Sequence, residues 1–480
     1  MKQILQSYRS GELWLADVPA PRVGPDSVLI ATTCSVVSPG TEKMIIELAQ
    51  KSLLQKARAR PDLVRKVIQK IKTEGLGSAL QKTFAKLDTP IPLGYSAAGK
   101  VLACGEKVHE FRPGDLVACG GAGYANHAEI LSVPRNLCAK IPVGVLTEDA
   151  AFATIGAIAM QGVRQADLRV GERAVVVGLG LLGLLTVQIL RASGCRVLGV
   201  DLDPARTALA AELGADATAT TDAVEQALAM SDGCGADAVL LTAATSSNGP
   251  IESAPDMLRH RGRVVVVGVV GMNVPRDPFY KKELDLRLSM SYGPGRYDPN
   301  YEERGLEYPI GHVRWTEQRN LLSFLELIER GSVTPARLVT HRYPIEQGLL
   351  AYETLKDPHA KTLGILLSYP NAAKADTTTI EERRVALTPP SEQKGMRIGV
   401  LGAGGYSKGV LLPALAKMPS VSLATLCTAS GSSASETGKK FGFGHATTSA
   451  DEIFDDPDID AVVIATRHDT HARYVCEALR

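Results

Sequence analysis

One segment limits the fold more than any other. Gly178-Leu179-Gly180-Leu181-Leu182-Gly183 lies between the β-branched run RAVVVG and the apolar run LLGLLTVQILRAS. A further apolar run, CRVLGVD, follows and closes on Asp201. Strand, glycine turn, helix, strand and acid in this register predict a parallel βαβ unit that binds a dinucleotide. Gly178 permits the tight turn, Gly180 lets backbone approach a pyrophosphate, and Gly183 lets helix and strand pack closely. Leu181 and Leu182 open the helix, so their N–H groups face the diphosphate. Gly268, closing the strand-like GRVVVVG, joins the predicted cofactor contacts. Asp201 accepts ribose hydroxyls and repels a 2′-phosphate, which favours NAD over NADP.

The rest of the chain is organised around this unit. Residues 1–150 read as mostly β, with short apolar runs such as SVLIATTCSVV and DLVACGG punctuated by Pro and Gly. A helical, basic insertion interrupts them at 42–88. Its Leu63, Val64, Val67, Ile68 and Ile71 recur at helical spacing. Its Lys and Arg residues read either as a solvated surface or as a lid for an anionic substrate. Residues 151–290 alternate strands and helices, the pattern of a doubly wound parallel sheet. Residues 291–369 begin with a loop rich in Gly, Pro, Tyr and Arg, holding Arg296, Tyr297, Tyr301, His312, Arg314 and Trp315, and return to the first domain. That loop reads as a substrate clamp or an interface. Residues 370–394 are polar and read as a linker.

A second strand-turn-helix starts at MRIGVLGAGGYSKGVLLPAL. Gly402 and Gly404 repeat the glycine turn, but Ser407 takes the third glycine position. The next strand ends in Cys427-Thr428 without an acid, so this turn is open to NADP. Residues 395–480 are expected to be a partial second Rossmann domain. His468 and His471 have metal-ligand spacing; the family resemblance of this region, given below, implies instead a structural role at a helix start.

Composition excludes several classes. The net charge of +1 gives no support for a nucleic-acid or membrane partner. No apolar run reaches the roughly 18 residues of a membrane span. The N-terminus lacks the apolar core of a signal peptide. The eight cysteines form no CxxC pair, which argues against a structural zinc lobe or a disulfide framework. A cytoplasmic, reduced protein and a homo-oligomer are expected.

Residues 1 to about 369 resemble the medium-chain dehydrogenases/reductases, a GroES-like β-barrel followed by a Rossmann domain. Residues 396–480, with AVVIATRHDTHARYVCEAL, resemble the start of the glucose–fructose oxidoreductase and inositol dehydrogenase family. The fused order, with SPGTEK, LGYSAAGKV and SYGPGRYDP, resembles bidomain oxidoreductases of bacterial polysaccharide gene clusters. The expected class is α/β: a GroES-like barrel, a doubly wound Rossmann domain and a second, incomplete one.

The resemblance also locates a departure. Zinc-dependent members carry Cys-Gly-Thr-Asp where this chain has Pro39-Gly40-Thr41-Glu42. Their Gly-His-Glu is Gly94-Tyr95-Ser96 here, and their third ligand position falls near Thr154. Zinc needs thiolate, imidazole or carboxylate, so no zinc is expected. Tyr95 is then the candidate acid or base, with Lys43 as a cation beside it. The alternative is a Tyr95 that fills the space of the metal. Ser38, Thr41 and Ser96 are candidate hydrogen-bonders to substrate, or turn and cap residues. His127 reads as a barrel-strand residue.

The implied function is a metal-free NAD(P)-dependent oxidoreductase. It would move a hydride to or from a hydroxyl or keto carbon of a sugar, nucleotide-sugar or cyclitol, in polysaccharide biosynthesis. A quinone- or enoyl-reductase-like enzyme, a bacteriochlorophyllide-type alcohol dehydrogenase and a non-catalytic nucleotide-sensing scaffold stay open.

Overall fold

The computed structural model describes residues 1–50, 55, 65, 69, 90–370, 383–387 and 395–480. The segment assigned to a helical lid therefore lies largely outside the described residues. Its start is described as the helix Pro39–Gln50. Gln55, Arg65 and Gln69 are helical and exposed.

The first unit is built on strands β1 (Lys2–Gln6), β2 (Leu13–Asp17), β3 (Ser27–Val37), β4 (Ile91–Pro92), β5 (Ser96–Cys104), β6 (Leu116–Gly120), β7 (Ile130–Pro134) and β8 (Cys138–Lys140). β2, β1 and β4 form a small antiparallel sheet. The larger sheet turns on β3, whose eleven residues are nearly all buried. β3 pairs antiparallel with β5, β7 and a strand from far down the chain, β16 (Gly364–Ser368). β15 (Val339–Pro344) runs parallel to β16 at the edge. The C-terminal part of this unit thus closes the N-terminal barrel, through Ile365 opposite Val37.

Between these pieces runs a six-stranded parallel sheet: β9 (Arg173–Val177), β10 (Arg196–Val200), β11 (Ala217–Ala219), β12 (Ala236–Leu241), β13 (Leu258–Val266) and β14 (Asp285–Leu288). Its spatial order is β11-β10-β9-β12-β13-β14, the doubly wound order that reverses beside β9 and puts a ligand crevice there. Ala174, Val175 and Val176 of β9 are fully buried. That is why the strand reads as a continuous apolar run rather than an alternating one. The edge strand β14, Asp-Leu-Arg-Leu, carries no such run and was not among the expected strands.

A second sheet holds β17 (Arg384–Ala386), β18 (Met396–Leu401), β19 (Val421–Cys427), β20 (His445–Thr447) and β21 (Ala461–Ile464), in the order β17-β20-β19-β18-β21. The expected linker needs a correction here. Its residues Arg384–Ala386 pair antiparallel with β20, and Arg384 holds Asp456 at 2.9 Å. A three-residue strand fixed by one ion pair leaves no periodic trace in a polar stretch.

Candidate active site and cofactor turns

The glycines of the first turn divide into two kinds. Gly178 has φ +96°, and a Cβ there would lie 2.6 Å from the Ala243 nitrogen. A Cβ on Gly183 would lie 1.9 Å from the Gly178 carbonyl oxygen. Both glycines are demanded by the fold itself. Gly180 differs: its φ is an ordinary −71°, and nothing lies within 4 Å of a Cβ built on it. No protein atom explains that glycine, and the space beside it is what a pyrophosphate needs. Gly180 is also the N-cap of the helix Leu181–Ala192, with no side-chain cap. Leu181 puts its side chain into the core, and Leu182 is partly buried. What both can offer a ligand is therefore their backbone N–H groups, which a helix start leaves unpaired. Gly268 is packed against Ala243 and Thr242, its Cβ position 2.3 Å from a carbonyl oxygen. It is a close-approach glycine between β12 and β13, whatever else it contacts.

Asp201 follows β10 and is largely buried. The Leu179 N–H donates to Oδ2 at 2.7 Å and the Asp203 N–H to Oδ1 at 2.9 Å. Arg206 lies 3.6 Å away. Each carboxylate oxygen accepts more than one hydrogen bond, so the group is oriented and still able to take ribose hydroxyls.

At the positions where zinc-dependent members carry ligands, the donor set is of another kind. Pro39 has no donor atom. Tyr95 is buried, and its phenol donates to Thr41 Oγ1 at 3.3 Å. Burial raises the phenol's pKa; its hydrogen bonding with Ser38 and Thr41 opposes this, and the Glu42 charge adds to it. Thr154 is fully buried and donates to the Cys119 carbonyl at 3.4 Å. Among the described residues, no group of three or more His, Cys, Asp or Glu is placed to hold a metal.

Two of the candidate catalytic residues stand elsewhere than expected. Lys43 is exposed, and the charge acting on Tyr95 is its neighbour, Glu42. Helix phase explains this: Glu42, Ile46 and Ala49 form the buried stripe, at 0%, 2% and 3% exposure. Lys43 is turned about 100° away. Ser96 is fully buried and spends its hydroxyl on backbone. It donates to the Ala151 carbonyl at 2.6 Å and accepts from the Thr154 N–H at 3.3 Å. It ties β5 to the start of the helix Ala153–Ala166 and is not free for substrate. Thr41 and Tyr95 are brought together.

Sequence reasoning missed a buried cluster behind Tyr95. His127 lies just before β7, not on a strand. Its Nε2 meets both Glu42 carboxylate oxygens at 3.3 Å, and its Nδ1 meets Ser35 Oγ at 2.7 Å. Tyr352 donates to Glu42 at 2.5 Å, and Tyr369 meets Ser35 at 2.8 Å. The cluster joins the Pro39 helix to the barrel and to the returning C-terminal part. His471 Nε2 meets the Thr466 carbonyl at 3.1 Å, a local backbone contact.

In the loop after β14, Arg164 and Arg314 both lie against Trp315, 3.3 and 3.8 Å from its ring centre. Burial and the Arg314 charge lower the Arg164 pKa to about 10. Arg296 pairs with Glu302 and lies over Tyr297. Tyr301 is core, and His312 is exposed.

The second turn is a variant of the first. Gly402 has φ +100°, and its Cβ position is 2.5 Å from the Ala465 carbonyl oxygen; Gly404 and Gly405 have open space. Ser407 is tolerated because its hydroxyl donates to the Gly402 carbonyl at 3.1 Å. The helix that follows opens as a wide π turn, Ser407–Leu411, before Leu412–Leu415. Pro413 lacks the N–H that an α-helical bond to residue 409 would use.

Comparison with known proteins matches this architecture in three segments. The alcohol dehydrogenase GroES-like domain matches residues 68–154, and the zinc-binding dehydrogenase family matches 182–303. The oxidoreductase family with an NAD-binding Rossmann fold matches 396–480. In chain order, the matches are those of a medium-chain dehydrogenase/reductase followed by a second oxidoreductase Rossmann segment. The chain is an NAD(P)-linked oxidoreductase. The medium-chain unit is 27% identical over 328 residues to L-arabinitol 4-dehydrogenase of Penicillium rubens, covering 59% of this chain and 79% of the relative. Sorbitol dehydrogenase of Halalkalibacterium halodurans is 26% identical over 314 residues, covering 56% and 82%. In fold it is similar to an alcohol dehydrogenase of Thermus sp. ATN1, with TM-score 0.56, 22% identity, and coverage of 77% of this chain and 100% of that one. Galactitol-1-phosphate dehydrogenase of Escherichia coli gives TM-score 0.57 at 18% identity, covering 77% and 100%.

Proposed function

We propose that the medium-chain unit is an NAD-linked dehydrogenase for a sugar or sugar-alcohol carbon that works without zinc, in polysaccharide synthesis. The observation that carries the dehydrogenase assignment is the Gly180 gap beside an oriented Asp201. Gly180, Leu181 and Leu182 would hold the diphosphate and Asp201 the adenosine ribose. The relatives named for arabinitol and sorbitol support a polyol substrate. Bound nicotinamide supplies the hydride acceptor or donor.

The chain's own part is orientation and proton placement. Tyr95, Thr41 and Ser38 offer hydroxyls where zinc-dependent members place a metal. The raised pKa of Tyr95 keeps its proton on at neutral pH. It would therefore donate to the carbonyl oxygen as hydride arrives in the reducing direction, and hold the substrate oxygen by a hydrogen bond in the oxidising direction while the alcohol proton passes to solvent. Pro39, Tyr95 and Thr154 do not fit a zinc ion, and no step is assigned to one.

A panel of polyols and sugars with NAD and NADP tests the function. Wild type should oxidise at least one polyol with NAD at higher kcat/KM than with NADP. Asp201→Asn should narrow that ratio about tenfold, the value of a lost charge-assisted contact. Wild type preferring NADP in this reaction would refute the role given to Asp201.

A further inference from the structure

Glu42 departs from a general rule of protein interiors. A carboxylate with no exposed surface is almost always paired with a cation. Glu42 is fully buried, and among the described residues no Lys or Arg meets it. The titratable groups that face it are His127, Tyr352, Tyr369 and Tyr95. Three donors converge on its oxygens: Tyr352 Oη at 2.5 Å, the Ser38 N–H at 3.2 Å, and His127 Nε2 at 3.3 Å from both. Because Nε2 faces only carboxylate oxygens, it carries the imidazole hydrogen. Nδ1 is then an acceptor and takes the Ser35 hydroxyl at 2.7 Å; Ser35 Oγ takes the Tyr369 hydroxyl at 2.8 Å. The hydrogens run one way, from Tyr369 through Ser35 and a neutral His127 to Glu42. A doubly protonated ring would reverse that run and leave the Tyr369 hydrogen without an acceptor among the described residues. Ser35 is itself fully buried, so the row is not a nucleophile with its base.

The row touches the candidate site from two sides. On one side, the Glu42 N–H donates to the Ser38 carbonyl at 3.0 Å while the carboxylate reaches back to the Ser38 N–H. That reciprocal pair fixes the first turn of the Pro39–Gln50 helix. The same turn presents Ser38 and Thr41 to the Tyr95 phenol. On the other side, the His127 N–H donates to the Leu93 carbonyl at 2.7 Å, and the ring lies over Gly94. A Cβ on Gly94, whose φ is +93°, would lie 2.9 Å from two ring carbons. The imidazole thus packs directly on the backbone from which Tyr95 projects. Burial is the main reason that the Tyr95 phenol keeps its proton, and the Glu42 charge, cancelled by no cation, adds to it.

We propose that Glu42 and His127 are positioning residues for the dehydrogenase site. As a hydrogen-bonded pair they hold Ser38 and Thr41 on one side and Tyr95 on the other, so that three hydroxyls meet one substrate oxygen. This role rests on the part given to Tyr95 in catalysis; the state of the pair itself does not.

Nitrogen NMR of wild type labelled at histidine reads the tautomer. The His127 hydrogen should sit on Nε2 at neutral pH, and a hydrogen on Nδ1 overturns the proposal whatever the variants do. Fluorotyrosine in place of Tyr95 reports ionisation of that phenol by fluorine NMR. Glu42→Gln, which keeps the shape and drops the charge, should lower the midpoint by about one pH unit. In polyol turnover, His127→Ala should lower kcat about tenfold or more and leave KM within about twofold. His127→Gln, whose amide donates from nearly the place of Nε2, should restore most of that loss. Thermal melting of each variant separates lost position from lost fold. A Glu42→Gln midpoint within a few tenths of wild type overturns the proposal. So does a KM that rises in step with the fall in kcat, or a His127→Gln no better than His127→Ala. No turnover in wild type, with tautomer and midpoint as stated, refutes the dehydrogenase reading and leaves the pair's hold on Tyr95 standing.

Discussion

Gly183→Ala should destabilise the medium-chain unit by about 3 kcal/mol, whereas Gly180→Val should leave stability within about 1 kcal/mol and abolish NAD binding. The two glycines lie three residues apart in one turn, yet only one is needed by the protein. A methyl on Gly183 meets the Gly178 carbonyl oxygen at 1.9 Å and Thr242 Oγ1 at 2.9 Å. Thr242 is itself fixed, donating to Gly178 O at 2.6 Å and Val177 O at 3.1 Å. Neither neighbour can move without shifting the Leu181 helix off β9. Gly180 faces open space, so a valine there fits the fold and occupies the ligand's place. Thermal melting and NAD titration on both variants read the difference. A stable Gly183→Ala, or a Gly180→Val that binds NAD within threefold of wild type, would contradict the assignment of the turn.

Glu317→Gln should raise stability at pH 8 and leave it nearly unchanged at pH 4. Glu317 starts the helix Glu317–Glu329 and is fully buried. Among the described residues neither of its carboxyl oxygens has a hydrogen-bond partner. Burial first, then the Glu302 charge, push its pKa up to about 9; Arg296 opposes and Glu307 adds. Arg296 is already committed to Glu302. The folded chain therefore keeps a proton that the unfolded chain, with a carboxyl near 4.5, releases. This group's contribution is full below about pH 4.5 and is lost as pH rises toward 9, by about 1.4 kcal/mol per unit. At neutral pH that is about 3 kcal/mol, and the amide, which cannot ionise, escapes it. Melting curves from pH 4 to 8 test this. Parallel curves for wild type and variant, or a variant that melts lower at pH 8, would show that Glu317 is not protonated in the fold.

The sequence revealed features that are fixed by the backbone. Gly178 and Gly183 are glycines because φ and a carbonyl contact demand it, and β9 is an unbroken apolar run because both its faces are covered. Those constraints act within a few residues, so they show in the order of letters. The departure at Pro39 and Tyr95 was legible in another way, through the resemblance to zinc-dependent members, which implies where metal ligands would stand. What was not legible depends on orientation. Lys43 and Glu42 are adjacent letters, and only helix phase decides which one meets Tyr95. Ser96 looks free until the Ala153 helix arrives to use its hydroxyl. The Glu42–His127–Tyr352 cluster joins residues some 310 positions apart, and no local pattern announces it. β14 and β17 are short, polar edge strands with no periodic run to read.

A dehydrogenase site that works with hydroxyls where zinc-dependent members use a metal should neither hold zinc nor need it. Elemental analysis of protein purified without chelator, run beside NAD-linked polyol oxidation before and after dialysis against a chelator, tests it directly. Far less than one zinc per chain and activity unchanged by the chelator are expected. One zinc per chain, with activity lost on its removal and restored on its return, would contradict it.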